Sequence, residues 1–244
     1  MTGASLEPLP EDWSRALAVV AHPDDLEYGA ASAVARWTSH GKEVRYLLVT
    51  RGEAGIDTVP PEESGPLRAE EEERSAAVVG AASVEFLGYH DGVVEYGLPL
   101  RRDIARAIRK HRPEVLISLN YQGTWGSPGG YRAPNSADHR AVALALLDAA
   151  SDAGNRWIFR ELLDEGLEPW GGARLVCFNG SPTPTHGVDI TGFLDQGVAS
   201  LREHTTYLAQ FADFDPETFL RGGAEHGGKQ LGCELAVTFE VFRR

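Results

Sequence analysis

The chain has 244 residues, of which 42% are hydrophobic and 24% are charged, and its formal net charge at pH 7 is −13. These proportions are ordinary for a globular protein. No linker, low-complexity tract or internal repeat divides the sequence, so we expect a single domain over residues 1–244. The acidic balance, with no cluster of basic residues, argues against nucleic acid as a partner.

The sequence also indicates in which cellular compartment the protein is found. The first residues have neither the basic start nor the apolar run of a signal peptide, and no apolar run approaches the ~20 residues that span a bilayer. Cys177 and Cys233 lie far apart and form no Cys-x-x-Cys pair, which favours free thiols in a reducing compartment. We therefore expect a cytoplasmic protein without membrane insertion.

Strand-like and helix-like segments alternate along the chain. Strands are predicted at 16–21, 44–50, 84–87, 115–119, 174–179 and 235–242. Helices are predicted at 29–40, from 64–66 onward, and at 100–111, 137–150, 155–166, 193–211 and 216–221. Repeated strand–helix units predict an α/β fold, a Rossmann-like and mostly parallel sheet with helices on both faces. The last strand is expected to be antiparallel at the edge.

The first predicted strand leads directly into His22, Pro23, Asp24 and Asp25. In an open parallel sheet, ligands bind at the carboxyl ends of the strands. One histidine and two carboxylates suit a metal ion with a base beside it. If Asp25 binds the metal, Asp24 is free to accept a proton from a water that the metal makes more acidic. The alternative is that both aspartates only cap the following helix.

A second polar segment, 135–140, follows the glycine-rich loop 121–135 and opens a predicted helix. It places His139 at the same edge of the sheet. With His22 and Asp25, it makes a set of two histidines and one carboxylate that leaves a position open for water, as in catalytic zinc sites. A surface position for His139, early in its helix, is the alternative.

The same ligand set serves non-haem iron oxygenases, so iron is the second metal to consider. The α/β pattern argues against an oxygenase, because those enzymes usually have a β-rich scaffold. A nicotinamide-dependent enzyme is disfavoured as well, since the turn after the first strand lacks a Gly-x-Gly-x-x-Gly sequence.

The segment at 20–27, VAHPDDLE, resembles the signature of the zinc-dependent N-deacetylases of the PIG-L/LmbE-like family. Further blocks similar to that family are RAEE at 68–71, FLGYHDG at 86–92, DHRA at 138–141, HGVDIT at 186–191 and ASLREH at 199–204. The resemblance implies a Rossmann-like fold and hydrolysis of the acetyl group from the nitrogen of an N-acetylglucosamine-type sugar conjugate. An amidase acting on thiol conjugates of related sugars is the alternative.

The resemblance also implies roles for single residues. It makes His22, Asp25 and His139 the ligands of a zinc cofactor, and Asp24 the general base. It further implies a small sugar conjugate as the bound molecule and a homo-oligomeric assembly.

Substrate contacts are expected from two loops and two polar residues. The loops 51–65 and 121–135 are long and rich in glycine, which allows close approach to a ligand. Tyr121, Trp125 and Tyr131 are candidates to stack on the apolar face of a sugar, with covering the core as the alternative. The resemblance makes Arg68 and Asp91 candidates for holding sugar hydroxyls.

One departure from the family pattern concerns Ser136. Family members usually carry a histidine here, three residues before the ligand His139, to stabilise the tetrahedral intermediate or to protonate the leaving amine. A serine hydroxyl donates a hydrogen bond but is a poor proton donor. His186 and Tyr131 are candidate helpers, and return of the proton by Asp24 is the other option. A catalytically impaired protein that binds metal or sugar also stays open, as does the partner of Asp138.

Overall fold

The computed structural model describes residues 6–125 and 133–244, which form eight strands and eight helices. The strands are β1 (Glu7–Pro8), β2 (Arg15–Val20), β3 (Glu43–Leu48), β4 (Ser83–Phe86), β5 (Val115–Leu119), β6 (Leu175–Asn179), β7 (His186–Asp189) and β8 (Ala236–Arg243). The helices are α1 (Ala31–Ser39), α2 (Pro61–Val78), α3 (Leu98–His111), α4 (Ala137–Gly154), α5 (Glu161–Asp164), α6 (Leu194–Arg202), α7 (Thr205–Leu208) and α8 (Pro216–Leu231). Among these helices, none is both long and apolar enough to cross a membrane.

All of these strands belong to one sheet, in the order β1-β7-β8-β6-β5-β2-β3-β4. Strand β8 runs antiparallel to its neighbours β6 and β7, and the other neighbouring pairs are parallel. The predicted α/β fold with a mostly parallel sheet is confirmed. The predicted edge position of β8 is wrong, because the short strands β7 and β1 extend the sheet beyond it. These two strands escaped prediction because they have only four and two residues.

Both faces of the sheet are covered, which explains why its central strands are apolar along most of their length. In β2, the side chains of Ala16, Ala18 and Val20 join one core cluster, together with residues of α1, α6 and α8. The alternate side chains of Leu17 and Val19 join the other cluster, with residues of α3 and α4. The period of two along the strand therefore divides its side chains between two cores.

The direction of strand addition reverses between β2 and β5. The chain adds β3 and β4 on one side of β2, and then returns to place β5 and β6 on its other side. Such a reversal opens a crevice at the carboxyl ends of the two central strands. The segments that leave β2 and β5 are those that carry His22 and His139.

Several helix limits differ from the predicted ones. The segment 193–211 divides into α6 and α7, and only α5 forms within 155–166. Helix α8 continues ten residues past 221 to Leu231, in spite of four glycines. Two of them are required by packing, since a Cβ at Gly227 would lie 2.5 Å from the carbonyl oxygen of Ala236, and one at Gly228 would lie 2.4 Å from that of Glu234. Close approach to the chain entering β8 therefore outweighs the low helix propensity of glycine.

The packing around Trp37 predicts a large loss of stability in Trp37→Ala. The indole is fully buried, meets Trp13 edge-on at 5.3 Å between ring centroids, and donates to Glu11 Oε1 at 3.0 Å. We expect the free energy of unfolding to fall by about 3–5 kcal/mol, measured by urea denaturation followed by circular dichroism. Trp157→Ala is the matched control, because that side chain is 70% exposed, and should change it by less than about 0.5 kcal/mol. Equal effects would contradict this core assignment.

Candidate metal centre

Asp25 holds the turn that follows β2. Its Oδ2 atom accepts hydrogen bonds from the backbone N–H groups of Ala21 and His22, both at 2.9 Å. The other oxygen, Oδ1, is turned toward two imidazoles, 3.5 Å from His22 Nδ1 and 3.0 Å from His139 Nε2. One carboxylate thus fixes the backbone of the turn and presents an oxygen to the crevice.

His139 is oriented by the residues that begin α4. Ser136 caps the helix, its Oγ accepting a hydrogen bond from His139 N at 3.1 Å. Asn135 Oδ1 lies 3.0 Å from His139 Nδ1, so this nitrogen donates and the lone pair of Nε2 is free. The amide nitrogen of Asn135 in turn donates to the carbonyl oxygens of Asn120 and Gln122, which anchors it to the end of β5.

His22 is oriented by two carboxylates that contact its Nε2 atom. Its Nε2 lies 3.0 Å from Asp91 Oδ1 and 3.3 Å from Asp138 Oδ2, so Nε2–H donates and Nδ1 is the free nitrogen. Asp138 also accepts hydrogen bonds from the backbone N–H groups of Gly92 and Val94, at 2.7 and 3.1 Å. This answers the open question about Asp138, whose partners are His22 and the turn that carries Asp91.

Three atoms with free lone pairs therefore converge: His22 Nδ1, Asp25 Oδ1 and His139 Nε2. Their separations are 3.0, 3.2 and 3.5 Å. Zinc bonds of about 2.0–2.2 Å at tetrahedral angles place ligand atoms roughly 3.3 Å apart. The predicted set is thus brought together, and its donor atoms fit a divalent ion that accepts nitrogen and oxygen ligands.

The charges around these atoms favour a cation. Burial disfavours a charged imidazole, yet the carboxylates around it, Asp25 above all, raise the pKa of His22 well above its ordinary value. Burial likewise opposes ionisation of Asp25, but the imidazoles of His139 and His22 hold its pKa far below its usual range. The group therefore combines an ionised carboxylate, that of Asp25, with an imidazole, that of His22, which readily accepts positive charge.

Asp24 is held in an uncommon backbone conformation beside this group. Its φ is 86°, in the left-handed region that non-glycine residues rarely adopt. Its N–H donates to Glu72 Oε2 at 3.2 Å, and its Oδ2 accepts from Arg68 Nη2 at 3.1 Å. Arg68 and Glu72 lie one turn apart on α2, so one helix face holds both the backbone and the carboxylate of Asp24. Burial raises the pKa of Asp24 well above its ordinary value, although Arg68 opposes this.

Arg68 and Asp91 both make several contacts with other residues of the protein. Arg68 is 2% exposed, and it also donates to the carbonyl oxygens of Pro23 and Gly52, at 2.7 and 2.8 Å. The oxygens of Asp91 bind His22 and the N–H of Ala54. Both residues are engaged by the protein, which argues against their predicted contact with sugar hydroxyls. They instead hold Asp24 and His22.

The aromatic residues of the 121–135 loop separate into different roles. Trp125 meets His139 edge-on at 5.5 Å between ring centroids, which places it beside the predicted ligands. It packs over Gly180, where a Cβ would lie 2.6 Å from the indole. Tyr121 packs on Phe178 and donates to Glu240 Oε1 at 2.9 Å, so it covers the core instead of facing a ligand. Tyr131 lies outside the described residues.

His186 is not brought to this group. It begins β7, and three strands separate β7 from β2 in the sheet, a lateral distance of roughly 19 Å at about 4.8 Å per strand. Its Nδ1 contacts Thr185 Oγ1 at 2.8 Å, and its Nε2 lies 3.8 Å from Glu7 Oε2. This position argues against the predicted catalytic role, because β8, β6 and β5 lie between His186 and the strand that leads to His22 and Asp25.

Sequence reasoning missed Asn135, Glu72 and His204. Glu72 follows Arg68 by four residues on a predicted helix, and this spacing was the available signal for a shared face. Asn135 precedes His139 by four residues, but it stood in a predicted loop without a helical register. His204 closes the block 199–204, which carried no assigned role; it is fully buried near Glu27 and Glu72.

Comparisons with known proteins identify sequences and folds that are similar to this chain. The family model described as "PIG-L: GlcNAc-PI de-N-acetylase" matches residues 17–150, more than half of the chain. A diacetylchitobiose deacetylase of Thermococcus kodakarensis is 30% identical over 231 residues, which cover 92% of this chain and 82% of that protein.

Two solved structures are similar in fold. The N,N'-diacetylchitobiose deacetylase of Pyrococcus horikoshii has a TM-score of 0.82 at 23% identity, covering 95% of this chain and 85% of that one. GalB, the 4-carboxy-2-hydroxymuconate hydratase of Pseudomonas putida KT2440, has a TM-score of 0.77 at 20% identity, covering 95% of this chain and 97% of that one. Because a hydratase shares the fold, the fold alone does not determine the reaction.

The contact between Asp91 and His22 predicts weaker metal binding in Asp91→Asn. Removing the negative charge behind the imidazole lowers its basicity as a ligand, and such changes typically weaken binding about 10–100-fold. The measurement is zinc affinity by competition with a chelator. Asp103→Asn is the control, because that carboxylate binds Tyr89 and Arg106 instead of an imidazole. Equal affinities of Asp91→Asn and the control would contradict the orienting role.

Proposed function

Since the chain belongs to the PIG-L family, we propose that it hydrolyses the acetyl group from the amide nitrogen of an N-acetylglucosamine-type sugar conjugate. The enzyme class is a metal-dependent N-deacetylase, with zinc as the proposed metal and iron as the second candidate. The observation that carries the proposal is the convergence of His22 Nδ1, Asp25 Oδ1 and His139 Nε2 beside Asp24. Binding alone does not require a further buried carboxylate next to the ligands.

The three ligands hold the metal, and Asp24 moves the proton. A divalent ion at this position supplies Lewis-acid polarisation of the amide carbonyl and acidification of a water molecule. Asp24 accepts the proton of the attacking water as that water's oxygen bonds to the carbonyl carbon. The C–N bond then breaks, the nitrogen takes up a proton, and acetate and the free amine leave.

We assign the two remaining tasks, a hydrogen bond to the oxyanion and protonation of the leaving amine, to two different residues. The oxygen of Ser136 accepts from His139 N, so its hydroxyl hydrogen remains available to donate a hydrogen bond. Asp24 then returns the proton to the amine, because serine is a poor acid. Tyr131 stays a candidate from the sequence alone.

Specificity is proposed to involve Trp125, whose ring borders His139 and offers a flat apolar surface to a sugar. The substrate class follows from the deacetylase relative, which is named for diacetylchitobiose, a conjugate of two N-acetylglucosamine units. Thiol conjugates of related sugars are the alternative substrates. A single domain, a cytoplasmic location and a homo-oligomeric assembly stay predictions.

A screen for released amine tests the function directly. The zinc-loaded protein is incubated with N-acetylglucosamine, N,N'-diacetylchitobiose, N-acetylglucosaminyl-inositol and an acylated thiol conjugate of glucosamine, and primary amine is assayed with fluorescamine. We expect release from at least one of the first three compounds. Release from the thiol conjugate alone would favour the alternative, and no release from any compound would contradict hydrolysis.

The role of Asp24 predicts that Asp24→Asn loses turnover and keeps its metal. An amide cannot accept the proton, and loss of a positioned base typically costs about 10²–10⁴ in kcat. Metal content should not change, because Asp24 is not among the three ligands. Asp164→Asn, the same exchange at an exposed position on α5, is the control. Turnover of Asp24→Asn close to that of the control would show that another group is the base.

A further inference from the structure

A second group of ionisable side chains lies in the interior behind Asp24. It consists of Glu27, Glu72 and His204, which are 1%, 1% and 0% exposed. They come from three segments: the turn after β2, the middle of α2, and the link between α6 and α7. The group shares no residue with the set formed by His22, Asp25 and His139.

Each member of this group has at least one buried side-chain nitrogen or oxygen without a hydrogen-bond partner. Within the described residues, this applies to Glu27 Oε2, Glu72 Oε1 and both ring nitrogens of His204. His204 Nε2 lies 3.8 Å from Glu27 Oε2 and 3.7 Å from Glu72 Oε2, too far for direct hydrogen bonds. Buried polar atoms are rarely left unsatisfied in folded proteins, so these atoms indicate that something binds between them.

The other oxygens of the two glutamates are already engaged. Glu27 Oε1 accepts a hydrogen bond from Ser75 Oγ at 2.9 Å. Glu72 Oε2 accepts the N–H of Asp24 at 3.2 Å. Each glutamate is therefore anchored through one oxygen. Glu27 turns its other oxygen, Oε2, toward His204, whereas in Glu72 the anchored Oε2 is itself the oxygen that lies 3.7 Å from His204 Nε2.

Among the described residues, neither Glu27 nor Glu72 forms an ion pair with a lysine or an arginine, and both lie near His204. Arg68, the cation of the neighbouring site, directs its terminal nitrogens to Asp24 and to the carbonyl oxygens of Pro23 and Gly52. Two carboxylates buried without a counter-charge are strongly unfavourable. A bound cation would supply the charge and also satisfy the unpartnered atoms.

We propose that Glu27, Glu72 and His204 form a second metal site, which binds a divalent cation that accepts mixed oxygen and nitrogen ligands, such as Zn²⁺ or Mn²⁺. Ligand atoms at about 2.0–2.2 Å from such an ion are separated by roughly 3–4 Å, depending on the angle between the bonds. The distances of 3.7 and 3.8 Å from His204 Nε2 match this range. The proposal goes beyond hydrolysis and does not depend on it.

The second ion has a structural consequence for the first site. It joins the turn after β2, helix α2 and the α6–α7 link at one point. It also fixes the side chain of Glu72, whose Oε2 holds Asp24 in its left-handed conformation. The second site therefore supports the position of the general base without contacting substrate.

Metal content tests the proposal without any measurement of activity. The purified protein is loaded with excess Zn²⁺ or, separately, Mn²⁺, desalted and analysed by plasma mass spectrometry. We expect two ions per chain in the wild type, one in Glu72→Gln and in His204→Gln, and one in His139→Ala. One ion per chain in the wild type, or two in the Glu72 and His204 variants, would overturn the proposal.

Glu71→Gln is the matched control. Glu71 is the buried neighbour of Glu72 on α2, but it is not among the three residues whose ligand atoms converge, and its Oε1 accepts from Thr205 Oγ1 and Thr206 N. This variant should keep two ions. If the Glu72 and His204 variants do not fold, anomalous diffraction from wild-type crystals soaked in Mn²⁺ decides. A peak between the three side chains supports the site, and only water density there overturns it.

Discussion

The Asp25 carboxylate is the interaction on which the site depends. Through Oδ2 it accepts two backbone N–H groups at the end of β2, and through Oδ1 it faces both imidazoles. The first pair of bonds gives the turn its shape, and the second joins the turn to α4 across the crevice. Because β2 and β5 are neighbours at the point where strand order reverses, the two segments meet without any further element.

A second constraint comes from helix α2. It reaches the opposite side of the turn and holds Asp24 twice, by its N–H and by its carboxylate. A non-glycine residue in the left-handed region persists where its surroundings determine it, and such residues cluster at functional sites. Gly52 allows this arrangement, because a Cβ there would lie 2.2 Å from Arg68 Nη1. Asp24 is therefore fixed in place by the protein itself.

The sequence predicted those parts of the molecule that depend on local pattern. The apolar runs of β2 and β5 and the polar residues after them were sufficient to place His22, Asp25 and His139 together. The predictions that failed depend on packing between distant parts of the chain. His186 looked suitable by residue type, but three strands lie between its strand and β2. Helix α8 runs through four glycines because of its contact with the chain entering β8. The hydrogen-bond partners of Arg68, Asp91 and Glu72 could not be predicted either, because each residue lies far along the sequence from the residue that it contacts.

Acetate release by the metal-free protein, before and after zinc is returned, tests the central claim most directly. The account predicts that the metal-free wild type is inactive on N-acetylglucosamine conjugates and that zinc restores its activity. It predicts no recovery in His139→Ala, which lacks one of the three ligands. Activity of the metal-free protein, or equal recovery in His139→Ala, would contradict the claim that these three side chains hold the catalytic metal.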